Sequence, residues 1–132
     1  MAGSFADYLE LKILEHLVGK TSYTMPTAYV GLSTADPLDT AAGLAEPSGN
    51  GYARVATTGS TWEAAASGAI QNASAITFPT ATGSWGTVTH FALFDAATSG
   101  NMLAHGALDE SQAITTNQIP RFAAGALDIT LE

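Results

Sequence analysis

The sequence predicts a mainly β fold, an antiparallel β-sandwich of jelly-roll-like character with one N-terminal α-helix, in a single domain over residues 1–132. Three observations lead there. Residues 85–95 form one long run rich in β-branched and aromatic side chains, and Ala96-Ala97-Thr98-Ser99-Gly100 turns it back into a return strand at 101–108. Shorter alternating runs, bounded by Gly, Pro, Asn and Asp, bring the expected total to seven or eight strands. Helical periodicity is confined to the N-terminal segment at about 4–18, and the sandwich occupies about 27–131.

Ser4–Val18 is the expected helix. Ser4 is a suitable N-cap, and Asp7 places an acid in the first turn, where the helix dipole favours it. Phe5, Leu9, Ile13 and Leu17 share one stripe, and Leu11, Leu14 and Val18 widen it past half the circumference. Gly19 supplies the stop. So wide an apolar arc suits either a helix folded under a loop or one that also touches a neighbouring subunit.

Thr27–Ser33 is the first expected strand, ended by Ala35-Asp36-Pro37, since proline cannot extend a central strand. Residues 36–51 then form a long loop, and long loops in compact domains are commonly functional or order on contact. Tyr52–Thr57 reads as a strand, and 58–75 as a flexible stretch in which the Ala64–Gly68 run forms a short helix or stays irregular. Ala75–Phe78 is a short strand closed by Pro79. In the central hairpin, Phe91 and Leu93 point one way and His90, Ala92 and Phe94 the other, the pattern of a strand covered on both faces. Ser111–Thr115 and Gln118–Ala123 follow as short strands, with Pro120 confining the second to an edge. Ala126–Leu131 closes the chain with Leu127, Ile129 and Leu131 inward.

Composition bounds the function classes. Twelve acidic residues against four basic ones leave a net charge of −8, and Lys12, Lys20, Arg54 and Arg121 are scattered along the chain. A nucleic-acid or anionic-membrane surface needs clustered cations, so neither partner is expected. Cysteine is absent, which removes disulfides and thiolate metal sites. No signal peptide and no bilayer-spanning run is read in the chain. Charged residues make up only 12%, with much Ala, Thr, Ser and Gly, as suits a protein seated against others in an assembly.

No catalytic constellation stands out, and no metal or cofactor is expected. His16, His90 and His105 lack metal spacing. His90 and His105 can face each other across the hairpin, but no carboxylate is offered beside them in sequence, so hydrogen-bonded strand histidines are the preferred reading. Ser84 in Thr82-Gly83-Ser84-Trp85-Gly86 leads into a strand where a nucleophile elbow leads into a helix. Gly49-Asn50-Gly51 lacks the third glycine and the following helix of a phosphate cradle. Asp36 and Asp39 are too few for a calcium loop and read as a solvated turn. The expected sites are protein interfaces. Tyr52, Arg54 and Trp62 are residue types that dominate such contacts, and Phe5, Asp36, Asp39 and Leu44 complete the set. Trp85 is assigned to the core, Trp62 to an anchor or the core, and Arg54 to one ion pair.

Several runs carry a family resemblance. They are Tyr29-Val30-Gly31-Leu32-Ser33-Thr34-Ala35-Asp36-Pro37, Gly51-Tyr52-Ala53-Arg54, Ile76-Thr77-Phe78-Pro79, Ser84–Phe91 with Phe94-Asp95-Ala96, Gly106-Ala107-Leu108 and Phe122–Leu127. In this order and spacing the chain resembles a family of small tailed-bacteriophage virion structural proteins, commonly labelled tail fibre or minor structural proteins. The similarity runs from about Phe5 to Leu131, and Met102-Leu103-Ala104-His105 departs from a more aromatic return strand. The resemblance implies a place in the virion and no catalytic residues. Fibres usually show repeats or heptads along their length, which this chain lacks. The leading expectation is therefore a capsid decoration (cement) protein that binds the major capsid protein and copies of itself. The alternative is a tail-tip or tail-fibre-associated module that contacts other tail proteins and the host surface. A small secreted or lysis-related enzyme stands third.

Overall fold

A computed structural model describes residues 2–131. Its elements are β1 (Ala2–Phe5), α1 (Asp7–Leu17), β2 (Tyr29–Ser33), β3 (Val55–Ala56), β4 (Ala69–Gln71), β5 (Ile76–Thr77), β6 (Gly86–Phe94), β7 (Met102–Ile114), β8 (Arg121–Phe122) and β9 (Asp128–Thr130). The larger sheet runs β3-β2-β6-β7-β1-β9-β4, and β5 pairs with β8 in a second, two-stranded sheet. The fold is mainly β with one helix, as the alternating runs predict. The ladders are antiparallel except β1 with β9, which is parallel.

The β6–β7 hairpin is the spine, and both its faces are covered. Val88, Phe91 and Leu93 enter the main core with Val30, Leu32, Ile76, Trp85, Leu127 and Ile129. Ala92 and Phe94 join a second cluster with Ala6 and Met102. The assignment of Trp85 to the core holds; its indole Nε1 donates to the Asn50 carbonyl at 2.8 Å.

Several boundaries differ from the sequence reading. Residues 101–108 and 111–115 are expected as two strands, yet β7 is one. Val88 pairs with Gln112 and His90 with Ala107, so Thr89 alone faces the bulged residues 108–111. The bulge breaks the period-2 pattern that would have joined the two halves. The strand at 52–57 shrinks to Val55–Ala56, because residues 49–51 all adopt positive φ and turn the chain sharply before Tyr52. The first strand begins at Tyr29, after Pro26, instead of at residue 27. The strands at 75–78 and 118–123 shorten to β5 and β8, which pair with each other. β4 arises in the stretch 58–75 read as flexible. Leu127 and Ile129 are buried as the alternation predicts, whereas Leu131 is 66% exposed.

The largest correction is at the N-terminus. Ser4 is not a cap. It lies in β1, opposite His105 on one side and Thr130 on the other. The helix starts at Asp7 behind Ala6, with no side-chain cap, and ends before Gly19, which adopts positive φ as the stop signal requires. β1 fits between β7 and β9 because Gly3 and Gly106 face each other and neither carries a side chain. Two full edges of backbone hydrogen bonds outweigh one capping bond.

Candidate functional site

Residues 34–51 are not a loose loop. Ser33 Oγ donates to the Ala35 carbonyl and accepts from the Ala45 amide at 3.0 Å, and the Thr34 amide donates to the Ala45 carbonyl at 2.9 Å. Pro37 is buried, and Leu44 and Ala41 pack against the Phe94–Met102 cluster. Both aspartates meet histidines of the hairpin. His105 Nε2 lies 2.7 Å from Asp39 Oδ1, and His90 Nε2 lies 3.9 Å from Asp36 Oδ1, the second too far for a hydrogen bond. The Asp39 carbonyl accepts from the Asp7 amide at 3.0 Å, which satisfies one of the open N–H groups of α1. The expectation that no carboxylate stands beside the histidines is therefore overturned. Nor do His90 and His105 face each other: their register partners are Ala107 and Ala92. Among the described residues no group of three or more His, Asp or Glu side chains is placed to hold a metal ion.

Tyr52 and Arg54, read as interface residues, turn inward. The Arg54 side chain is only 5% exposed. Its Nε and Nη2 donate to the two carboxylate oxygens of Glu46 at 2.7 and 2.8 Å, and its Nη1 donates to the carbonyls of Ala96 and Ser99, both at 2.8 Å. The guanidinium also lies 3.5 Å from the centre of the Phe94 ring. One ion pair is what the sequence suggests, and the structure places it within the chain. The Tyr52 hydroxyl donates to Glu46 Oε2 at 2.6 Å and accepts from the Leu32 amide at 3.0 Å. The cluster ties the long loop to the β6–β7 turn.

Burial, first, and the hydrogen bond to Glu46 push the Tyr52 phenol well above its ordinary value of 10.0; burial also raises Tyr23. A phenol raised in the folded state contributes stability that is intact below the unfolded value and lost as pH climbs toward the folded one. The denaturation midpoint is thus expected to fall as pH rises above about 10. A Tyr52→Phe variant, unfolded in parallel, should show a shallower alkaline fall; an identical slope would mean that Tyr52 ionises freely in the fold.

The remaining candidates are partly covered. Trp62 is half-buried against the main core, and its indole Nε1 donates to Thr57 Oγ1 at 3.1 Å. Phe5 is half-buried on the same core. A depression of about 760 Å³ lies between the β7 bulge and β8. Asp109, Glu110 and Arg121 stand at its rim, and the core side chains Phe78, Val88 and Phe122 form its floor.

The surface that the candidate residues missed is the outer side of α1. Leu9 is buried and Ile13 half-buried on the body of the domain. On the far side of the helix Leu11, Leu14 and Leu17 are 63%, 59% and 75% exposed, and Val18, at the C-cap just past its end, is 75% exposed. The wide apolar arc of the sequence is two faces, only one of which the fold covers. Leu131 joins the outer one, and with Leu14, Asp7 and Glu10 it borders a groove of about 550 Å³. The signal was in the sequence as an arc too wide for one sheet face.

A family model described as podophage GP4 fiber I protein gp80 matches residues 4–130. Comparison with curated proteins gives no match.

Proposed function

The chain belongs to this podophage fibre-protein family, and from that premise we propose that it is a non-enzymatic module of the tail-fibre apparatus, seated through the outer face of α1 on another tail protein. Membership makes it a structural protein of the virion. The observation that carries the reading is the set of Leu11, Leu14 and Leu17 left in water on one helix face, with Val18 exposed at its C-cap. Burying each of them in a contact is worth roughly 1.5–3 kcal/mol before the costs of association. Repetition of a modest contact in a symmetric particle adds strength through avidity.

The test is a virion-loading assay. Leu14 is exposed, so Leu14→Asp should leave stability within about 0.5 kcal/mol of wild type. It should lower the amount of protein in purified virions by roughly tenfold or more, read by quantitative immunoblot, since it puts a charge in the contact. Normal loading would end the docking reading.

The compact, repeat-free fold favours a second reading, a capsid decoration protein on the major capsid protein and on copies of itself. The pinned loop, with Leu38 half in water, would then be the contact. Excising residues 38–48 would not test it cleanly, because Glu46 holds Arg54 and Tyr52. Copy number separates the readings: on the order of hundreds per particle for a cement, far fewer for a fibre part.

A further inference from the structure

The Tyr52 amide donates to the Gly49 carbonyl at 3.0 Å, and the two residues between them, Asn50 and Gly51, both adopt positive φ, 53° and 81°. That is a type I′ turn, and both residues are exposed at the end of the long loop. The fold demands each residue type for its shape. A Cβ on Gly51 would stand 2.8 Å from the Thr80 carbonyl oxygen, so no side chain fits there. Asparagine tolerates the left-handed conformation at position 50, and its Nδ2 donates to the Ser84 carbonyl at 2.9 Å. The Asn50 carbonyl accepts from the Trp85 indole at 2.8 Å and from the Thr82 amide at 2.9 Å. One residue thus pins the loop to the entry of β6.

The same pair is chemically labile. Asparagine followed by glycine sets a side-chain carbonyl carbon beside a backbone nitrogen that no side chain shields. Among the described residues the Gly51 amide makes no hydrogen bond. Once hydroxide removes the Gly51 amide proton, the nitrogen can attack Asn50 Cγ. The N–Cγ bond forms, the Cγ–Nδ2 bond breaks, and Nδ2 takes a proton from water and leaves as ammonia. Water then opens the resulting succinimide at either carbonyl. Opening at Cγ gives aspartate; opening at the main-chain carbon gives isoaspartate, whose backbone runs on through Cβ and Cγ.

We propose that Asn50-Gly51 is a self-modification site, a deamidation centre held in check by the backbone at Gly83 and Ser84. Attack requires the Asn50 amide group to leave its seat. There it is bonded to Ser84 and lies against Gly83, where a Cβ would stand 2.7 Å from both Cγ and Oδ1. The products undo the pin. An aspartate carboxylate has no donor for the Ser84 carbonyl. Isoaspartate adds a backbone atom just ahead of Tyr52, whose hydroxyl holds Glu46 and the Leu32 amide.

The experiment incubates the full folded chain at mildly alkaline pH and then digests it with trypsin. Cleavage after Lys20 and Arg54 releases residues 21–54, which contain one asparagine and no glutamine, so exchange of an amide NH2 for OH there reports Asn50 alone. Mass spectrometry should show that exchange accumulating, while the peptide 55–121, with Asn72, Asn101 and Asn117, stays unchanged over the same period. The folded chain should react roughly tenfold more slowly than the chain in urea, the worth of one net hydrogen bond. Gly83→Ala, judged folded by circular dichroism, displaces the Asn50 side chain and should remove most of that difference. The product fraction, separated by anion exchange on its added charge, should unfold at lower urea than the rest. A folded chain whose 21–54 peptide stays unmodified would overturn the inference, as would equal rates in the folded and urea-unfolded chains. A folded Gly83→Ala that reacts no faster than wild type, or a product as stable as its parent, would overturn it as well. Should Gly83→Ala fail to fold, the comparison of folded with urea-unfolded wild type decides.

Discussion

Replacing Arg54 with alanine is expected to cost the fold about 3–5 kcal/mol, the largest effect of any polar substitution in the molecule. The guanidinium is nearly enclosed, and its removal leaves four groups short of a partner at once. The Glu46 carboxylate, 20% exposed, loses both of its bonds from the arginine and keeps only that from Tyr52. The carbonyls of Ala96 and Ser99 lose their donor. The Phe94 ring loses the cation stacked on it. Arg54→Lys restores the charge without the planar fork and should recover less than half of the loss. Chemical denaturation checks both, and a cycle with Glu46→Gln isolates the pair, since that change removes the carboxylate's charge at nearly constant shape. If Arg54→Ala costs under about 1 kcal/mol, the cluster behaves like an exposed ion pair and does not tie the loop to the hairpin turn.

The second large effect is expected at the glycine pair beneath β1. A Cβ built on Gly106 lies 2.6 Å from the Gly3 Cα and 2.7 Å from the Ala2 carbonyl oxygen, both backbone atoms with no rotamer to yield. Gly106→Val therefore forces β1 out of its slot, at about 3 kcal/mol or more. The loss should be local in one respect: amides 3–5 should exchange rapidly while those of β6 keep their protection. α1 follows β1 directly in the chain and packs on β7, so the docking face should lose its fixed position, and virion loading with it. Gly59→Ala is the control, because a Cβ there meets nothing within 4 Å. It should stay within about 0.5 kcal/mol of wild type. Protected amides in β1 of Gly106→Val would mean that the strand finds another register.

Much of the fold was legible because its signals are local. The period-2 runs at 29–33, 86–94 and 127–130, the burial of Trp85 and the stop at Gly19 all follow from neighbours a few residues apart. Misreadings cluster where a distant partner overrides a sound local pattern. Ser4 is a good cap by its neighbours, but Gly106 and Ile129 offer Gly3 and the residues around it two sheet edges. β7 looked like two strands because a bulge separates two correct halves.

The candidate site divides the same way. Tyr52 and Arg54 are interface-type residues by composition, and nothing in sequence reveals that the carbonyls of Ala96 and Ser99, 42 and 45 positions away, complete the arginine's bonds. Asp39 and His105 meet across 66 positions, so their pairing could not be read from spacing.

What the sequence determined by itself is the mainly β architecture, the covered hairpin at its centre, and a helix with more apolar surface than a single contact needs. Backbone propensity and side-chain period are properties of a few adjacent residues, so they survive without knowledge of the rest. Tertiary structure alone decided which half of that helix is covered, which polar side chains are consumed inside the molecule, and that the N-terminal segment is a strand. Each depends on what packs against a residue from far along the chain, and burial is fixed only when both sides of a contact are in place.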